Sequence, residues 1–158
     1  MTAMTVMPAA GTWVSAAPFR SYVVHLMDAA DVPWRVVAQR AGVPAAVIHT
    51  LLFGRRGRPR PTIPSQFAGS LLALSAAELR GLRLQRVAAP PTQRRVQALL
   101  EAGLPLSQVA RWLGLDRPSC RQLASGQAAT CSALVEALAR AACEAHRVGS
   151  PATEQWAA

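Results

Sequence analysis

Residues 30–54, ADVPWRVVAQRAGVPAAVIHTLLFG, return without a gap as residues 102–126, AGLPLSQVARWLGLDRPSCRQLASG, 72 positions further on. A chain that carries one pattern twice is constrained to build the same local unit twice. The positions that agree are those two helices joined by a tight turn require. Ala38 and Ala110 are small where the helices meet, and Gly42 and Gly114 supply the left-handed residue that ends the first helix. Val43 and Leu115 follow that turn, and Leu51 and Leu123 fall on the inner side of the second helix. The expectation is an all-α protein with two pseudo-repeated helix-turn-helix units.

Apolar spacing extends each unit. Phe19, Tyr22, Val23, Leu26 and Met27 predict a helix over 18–30, followed by helices over 34–41 and 44–53. Residues 65–74 resume helix, and Ser75 with Glu78 forms a capping-box pattern for a short helix running from Ala76 toward Leu84. In the second half Thr92 reads as the N-cap of a helix to 102, with further helices over 106–113, 117–125 and 132–147. The expected division is a loose arm over 1–15, a first unit over 16–74, and a connecting segment over 75–91 broken by Pro90 and Pro91. A second unit over 92–148 and a frayed tail over 149–158 complete the chain.

The two halves differ after the repeated segment. The first continues as GRRGRPRPTIP, residues 54–64, where glycine, proline and arginine oppose regular structure and Arg55, Arg56, Arg58 and Arg60 concentrate positive charge. The second has only a few small residues there. Formal net charge is +9, every one of the 17 basic residues is Arg, and both halves are basic. Such a surface attracts polyanions, and arginine's planar fork suits guanine edges and phosphates, so double-stranded DNA is the expected partner.

In a helix-turn-helix the second helix of the pair enters the major groove. That assigns Ala45, Ala46, His49 and Thr50 in the first unit, and Arg117, Arg121 and Gln122 in the second, as candidate base readers. The second set is better armed, since Arg pairs with guanine and Gln with adenine. Trp34, Arg35, Arg40, Arg94, Arg95 and Arg111 are candidate phosphate contacts, which fix position without reading sequence. Trp112, late in its helix, is expected in the core. Arg56-Gly57-Arg58-Pro59 resembles the core of an AT-hook, an extended arm for a narrow minor groove, so Arg55, Arg56, Arg58 and Arg60 are candidates for minor-groove or phosphate contact.

No catalytic pattern is present: there is no G-x-S-x-G, no phosphate-binding P-loop and no G-x-G-x-x-G, and the expectation is a protein that is not an enzyme and needs no cofactor. Cys120, Cys131 and Cys143 are unpaired by spacing and read as reduced thiols. Cys143 with His146 gives a helical i, i+3 pair that lacks the second pair a metal site requires. The N-terminus lacks a basic region ahead of a sustained apolar run, which argues against a signal peptide, and no apolar stretch reaches membrane-span length. The expected location is the cytoplasm, associated with the nucleoid.

Ala17-Pro18-Phe19-Arg20, the run Trp34 to Val43, and Leu51 to Pro59 follow A-P-x-R, W-R-x-x-A-x-x-A-G-V and L-L-x-G-R-x-G-R-P. The chain thereby resembles a group of small actinobacterial and actinophage helix-turn-helix proteins, and Thr92 to Leu99 matches that group's T-x-R-R-x-Q-A-L. The likeness covers roughly residues 16–147, with Pro33 and Pro105 standing where a small polar cap is usual. The resemblance implies DNA binding in gene regulation or prophage control. Beside a DNA-binding transcriptional regulator stand two alternatives: a low-specificity architectural binder, and an interaction module for RNA polymerase or another protein. Monomer and homodimer are both compatible with the sequence.

Overall fold

The computed structural model describes residues 11–149, so residues 1–10 of the expected arm and 150–158 of the expected tail lie outside the described residues. The chain divides between Arg80 and Gly81 into two compact units. Unit 1 contains β1 (Trp13–Ser15), α1 (Ala17–Ala30), α2 (Trp34–Ala41), α3 (Ala45–Phe53), β2 (Thr62–Pro64) and α4 (Ser65–Leu72); α5 (Ala76–Gly81) reaches the boundary. Unit 2 contains β3 (Arg86–Ala88), α6 (Pro90–Glu101), α7 (Leu106–Leu113), α8 (Arg117–Ser125), β4 (Thr130–Ser132) and α9 (Ala133–Ala145). The protein is mostly helical, but each unit also holds a small antiparallel sheet, which the all-α expectation omitted.

The sheets correct the expected loose segment before α1. Trp13, Val14 and Ser15 pair with Pro64, Ile63 and Thr62. In unit 2, Arg86, Val87 and Ala88 pair with Ser132, Cys131 and Thr130. The ladder continues past both strand ends in the same way in each unit. Ala16 N–H donates to Pro61 O at 2.9 Å and Ser65 N–H to Thr12 O at 2.9 Å. Ala89 N–H donates to Ala129 O at 3.0 Å and Ala133 N–H to Gln85 O at 2.8 Å. The chain entering α1 or α6 is thus fastened to the chain leaving α3 or α8, and the buried Ala16 and Ala89 mark the crossing.

The turn between the second and third helices forms as its glycine predicts. Gly42 has φ 69° and Gly114 φ 64°. In both units the next residue closes the helix end: Val43 N–H donates to Ala38 O, and Leu115 N–H to Ala110 O, each at 3.0 Å. A β-carbon at either glycine would meet nothing, so left-handed backbone, not space, is what favours glycine there. Ala38 and Ala110 are buried beside the core residues Val36, Val37, Ile48 and Leu51 in unit 1 and Val109, Leu113, Cys120 and Leu123 in unit 2. In unit 2, α9 lays a run of buried alanines, including Ala139, Ala141 and Ala142, against α6 and α7. Side chains that small let helix backbones approach closely.

The helix start that departs most from expectation is that of α6. Pro90 and Pro91 do not separate the halves; they occupy the first turn of α6, where their missing N–H groups have no intrahelical partner to lose. Thr92 is therefore inside the helix and fully buried, with the Cys131 thiol donating to its Oγ1 at 3.6 Å, and it is not the N-cap. The capping pair at Ser75 does form: Glu78 N–H donates to Ser75 Oγ at 3.2 Å. The closing helix begins at Ala133, capped by Ser132, whose hydroxyl oxygen accepts from Val135 N–H at 3.1 Å.

Candidate nucleic-acid interface

α8 is fixed from its start. The Asp116 carboxylate accepts the Ser119 N–H at 2.8 Å, satisfying one of the free donors of the first turn. Hydrogen bonding from Ser119, its hydroxyl first and its N–H second, holds the Asp116 carboxyl below its ordinary pKa. Cys120 and Leu123 anchor the inner side of the helix in the core. Arg117, Arg121 and Gln122 are all exposed, and Arg117 and Arg121, four residues apart, lie on one face.

α3 presents a different surface. Ile48 and Leu51 are buried, Ala46 and His49 are exposed, and Ala45 and Thr50 are half-buried. The Thr50 hydroxyl donates to Ala46 O at 2.8 Å, so its proton is already used within the helix. The His49 ring lies 4.9 Å from the Phe53 ring and 5.6 Å from the Trp34 ring, centroid to centroid. Phe53 is 57% exposed. Trp34 packs edge-on to Phe53, and the Arg35 guanidinium stacks 4.4 Å from the Trp34 centroid. Trp34 and Arg35, expected as phosphate contacts, are thus parts of an aromatic cluster that also takes up His49. The face is aromatic and aliphatic, with few hydrogen-bonding groups.

After α3 the arginine-rich segment is not an extended arm. Arg55 N–H donates to Arg58 O and Arg58 N–H to Arg55 O, both at 3.0 Å, which closes a two-residue hairpin. Arg56 at φ 49° and Gly57 at φ 75° form its tip, with the two positive φ values of the tight turn that suits hairpin twist. The expected extended arm through Arg56-Gly57-Arg58 is thus replaced by a tight turn. Gly54, at φ 72° and ψ −168°, lets the hairpin fold back on the end of α3: a β-carbon there would run into the Arg58 carbonyl. Arg55, Arg56, Arg58 and Arg60 are all exposed.

Sequence reasoning missed the residue that fastens this segment. Arg20 Nε donates to Leu51 O at 2.7 Å, and its Nη2 donates to Arg60 O at 2.9 Å. One side chain from α1 thereby holds both the end of α3 and the far side of the arginine loop. In unit 2, Gln93 and Gln97 of α6 do related work, each donating to Ala124 O, at 3.4 and 2.9 Å. The clue in the sequence was the A-P-x-R run itself, which puts a long cation at the fourth position of α1, a helix with no other arginine.

The remaining arginines separate. Arg40 and Arg111 are exposed in the last turns of α2 and α7, where a cation also complements the helix dipole. Arg94 is exposed on α6. Arg95 is half-buried, and its Nη1 is buried with no hydrogen-bond partner, which makes it a poorer candidate for phosphate contact than exposed Arg94. Burial first, and the neighbouring Arg140 charge second, lower its pKa. The guanidinium of Arg60 sits 6.0 Å from the Trp13 ring centroid.

Trp112 is half-buried at the surface of unit 2, where its indole N–H donates to His146 Nε2 at 3.1 Å, and is not the core residue expected. The Cys143 thiol donates instead to Arg95 O at 3.7 Å, and all three cysteines are buried free thiols. No group of three His, Cys, Asp or Glu side chains that could hold a metal occurs among the described residues. Among them also, no helix is long and apolar enough to cross a membrane.

Compared with protein-family models, curated proteins and solved structures, the chain matches none.

Proposed function

We propose that this chain is a double-stranded DNA-binding regulator of transcription, built by duplication of one helix-turn-helix unit. The observation that carries the reading is α8, whose exposed Arg117, Arg121 and Gln122 stand on a helix held from behind by Cys120 and Leu123, next to the Gly114 turn. Two arginines and a glutamine on the outward side of a second helix supply the bidentate groups that distinguish guanine and adenine in the major groove. The shared element order of the two units, with the same strand closure, supports the duplication. Exposed Arg40, Arg94 and Arg111 add charge for phosphates, consistent with action at the nucleoid.

The test is selection of bound fragments from a random duplex pool, followed by affinity measurements on the preferred site and on random duplex. Arg121→Ala is expected to weaken the preferred site by ~1–3 kcal/mol and random duplex far less. If the ratio of the two affinities is unchanged, α8 does not read bases.

The surface cluster of exposed His49 and Phe53 with half-buried Trp34 favours a second reading for unit 1, as an interaction module for RNA polymerase or another protein. An exposed aromatic face poor in hydrogen-bonding groups suits protein docking or low-specificity DNA contact better than base readout. Phe53→Ser that abolishes polymerase binding without altering duplex affinity supports the protein partner.

A further inference from the structure

The hairpin is an addition that the fold does not need. Unit 2 passes from α8 to β4 through four residues, 126–129, whereas unit 1 passes from α3 to β2 through eight, 54–61, and both units then close the same two-stranded ladder. The four-residue difference equals the length of the Arg55–Arg58 turn. Its geometry is costly. Arg56 takes a left-handed backbone conformation, and the mutual N–H···O bonds make Arg55 and Arg58 a directly opposed pair whose side chains leave the same face. Like charges in that position repel unless an anion lies between them. Among the described residues no carboxylate is paired with either side chain. The prong is also held in place at both ends, by Gly54 beneath the Arg58 carbonyl and by Arg20 across Leu51 and Arg60.

We infer that the Arg55–Arg58 hairpin is a phosphate clamp that seats a single backbone phosphate of duplex DNA between its two guanidinium groups. This rests on the duplex-binding reading above. Two fork-shaped donors converging on one phosphate replace the repulsion between them by charge-assisted hydrogen bonds. Arg20 serves as a positioning residue, fixing the distance between the clamp and α3. The arrangement supplies grip and register to the unit whose recognition helix has few readers.

The experiment is a potassium chloride series of duplex affinities, by fluorescence anisotropy on a labelled mixed-sequence duplex, for the intact chain, for R55A/R58A, and for R147A, an exposed arginine outside the proposed contact surface, as a charge control expected to leave the slope unchanged. Each phosphate neutralised contributes about 0.9 to the slope of log affinity against log salt. One shared phosphate predicts that the double substitution lowers the slope by about 0.9. A loss of about 1.8 means two independent contacts, and no loss means no contact; either overturns the clamp while leaving duplex binding intact. If the unsubstituted chain fails to bind duplex at all, the clamp and the duplex reading fall together. As a second readout, R20M leaves both clamp arginines in place but frees the hairpin from α3. It is expected to preserve the slope on mixed-sequence duplex while weakening the affinity at each salt concentration, because the freed clamp must be ordered on binding; an unchanged affinity overturns the positioning role.

Discussion

Arg20 Nε lies 2.7 Å from the carbonyl oxygen of Leu51, a residue 31 positions away whose own side chain is buried. The last carbonyls of a helix have no intrahelical donor, and a guanidinium from α1 satisfies one of them at the end of α3. A hydrogen bond from a charged group in a partly buried setting contributes more than a neutral one, on the order of 2 kcal/mol.

Arg20→Met retains the apolar stem and removes both donors, and is expected to destabilise unit 1 by about 2 kcal/mol. Amide hydrogen exchange along α3 and β2 of the full chain locates the loss. Gln93→Ala in unit 2 removes a longer neutral bond, 3.4 Å, beside which Gln97 still donates to the same carbonyl. Its cost is expected to be below about 1 kcal/mol. Equal losses at the two sites would argue against the charged bridge.

Gly54 and Gly57 both have positive φ, yet they should respond differently to alanine. At Gly54 the φ, ψ pair is one that only glycine adopts readily, and the added carbon would collide with the Arg58 carbonyl. At Gly57 the added carbon meets nothing within 4 Å, and the penalty is that of a left-handed residue alone. Gly54→Ala is expected to cost about 3 kcal/mol or to open the hairpin, and Gly57→Ala about 1 kcal/mol. Chemical denaturation gives the stabilities, and loss of protection at the Arg55 and Arg58 amides reports opening of the hairpin.

The helices and their turns were legible in the sequence because each depends on neighbours: the bounds of α2, α7 and α8 follow from apolar spacing and from Gly42, Gly114 and Gly126. The strands were not. A three-residue strand carries too little alternation to register as a period, and the partners of Val14 and Val87 lie more than 40 residues away. Only the recurrence of Val14, Ala16 and Pro18 as Val87, Ala89 and Pro91 hinted at them. Exposure of Arg117, Arg121 and Gln122 could be read from helical phase. The Arg20 bridges and the burial of Arg95 Nη1 could not, because both depend on which helix packs against which. The hairpin was misread for a more local reason: Arg56-Gly57 suits a tight turn as well as an extended arm, and the sequence alone does not choose.

Arg95 tests the limits of net charge as a guide to contact. Its buried, unpartnered Nη1 and its lowered pKa both indicate a cation held where it is poorly solvated. Arg95→Met keeps the aliphatic stem against α9 and removes the unsatisfied donor. It is expected to leave stability unchanged or raise it by up to about 1 kcal/mol, and to leave the salt dependence of duplex binding unaltered. Arg94→Ala, one residue earlier and exposed, is expected to reduce that salt slope. If the two substitutions weaken duplex binding alike, Arg95 leaves its buried position to reach phosphate.

Asp116 couples the start of α8 to pH. Its carboxyl has a folded-state pKa below the ordinary value because the charged form accepts the hydrogen bonds of Ser119. A carboxyl depressed in the folded state stabilises fully above its unfolded pKa of about 3.9 and loses that contribution as pH falls through the lower folded value. The first turn of α8 is therefore expected to fray only in strongly acidic solution, with no change between neutral pH and about pH 5. Asn caps helices about as well as Asp but does not titrate. Asp116→Asn is thus expected to keep the first turn ordered across the whole range, whereas Asp116→Ala should show it loosened at every pH. Carbon chemical shifts of residues Arg117 to Cys120, followed through an acid titration, distinguish the three proteins. A titration of the Asn variant that matches the unsubstituted chain would trace the fraying to some other carboxylate, and the Asp116–Ser119 bond would then play no part in presenting Arg117 and Arg121.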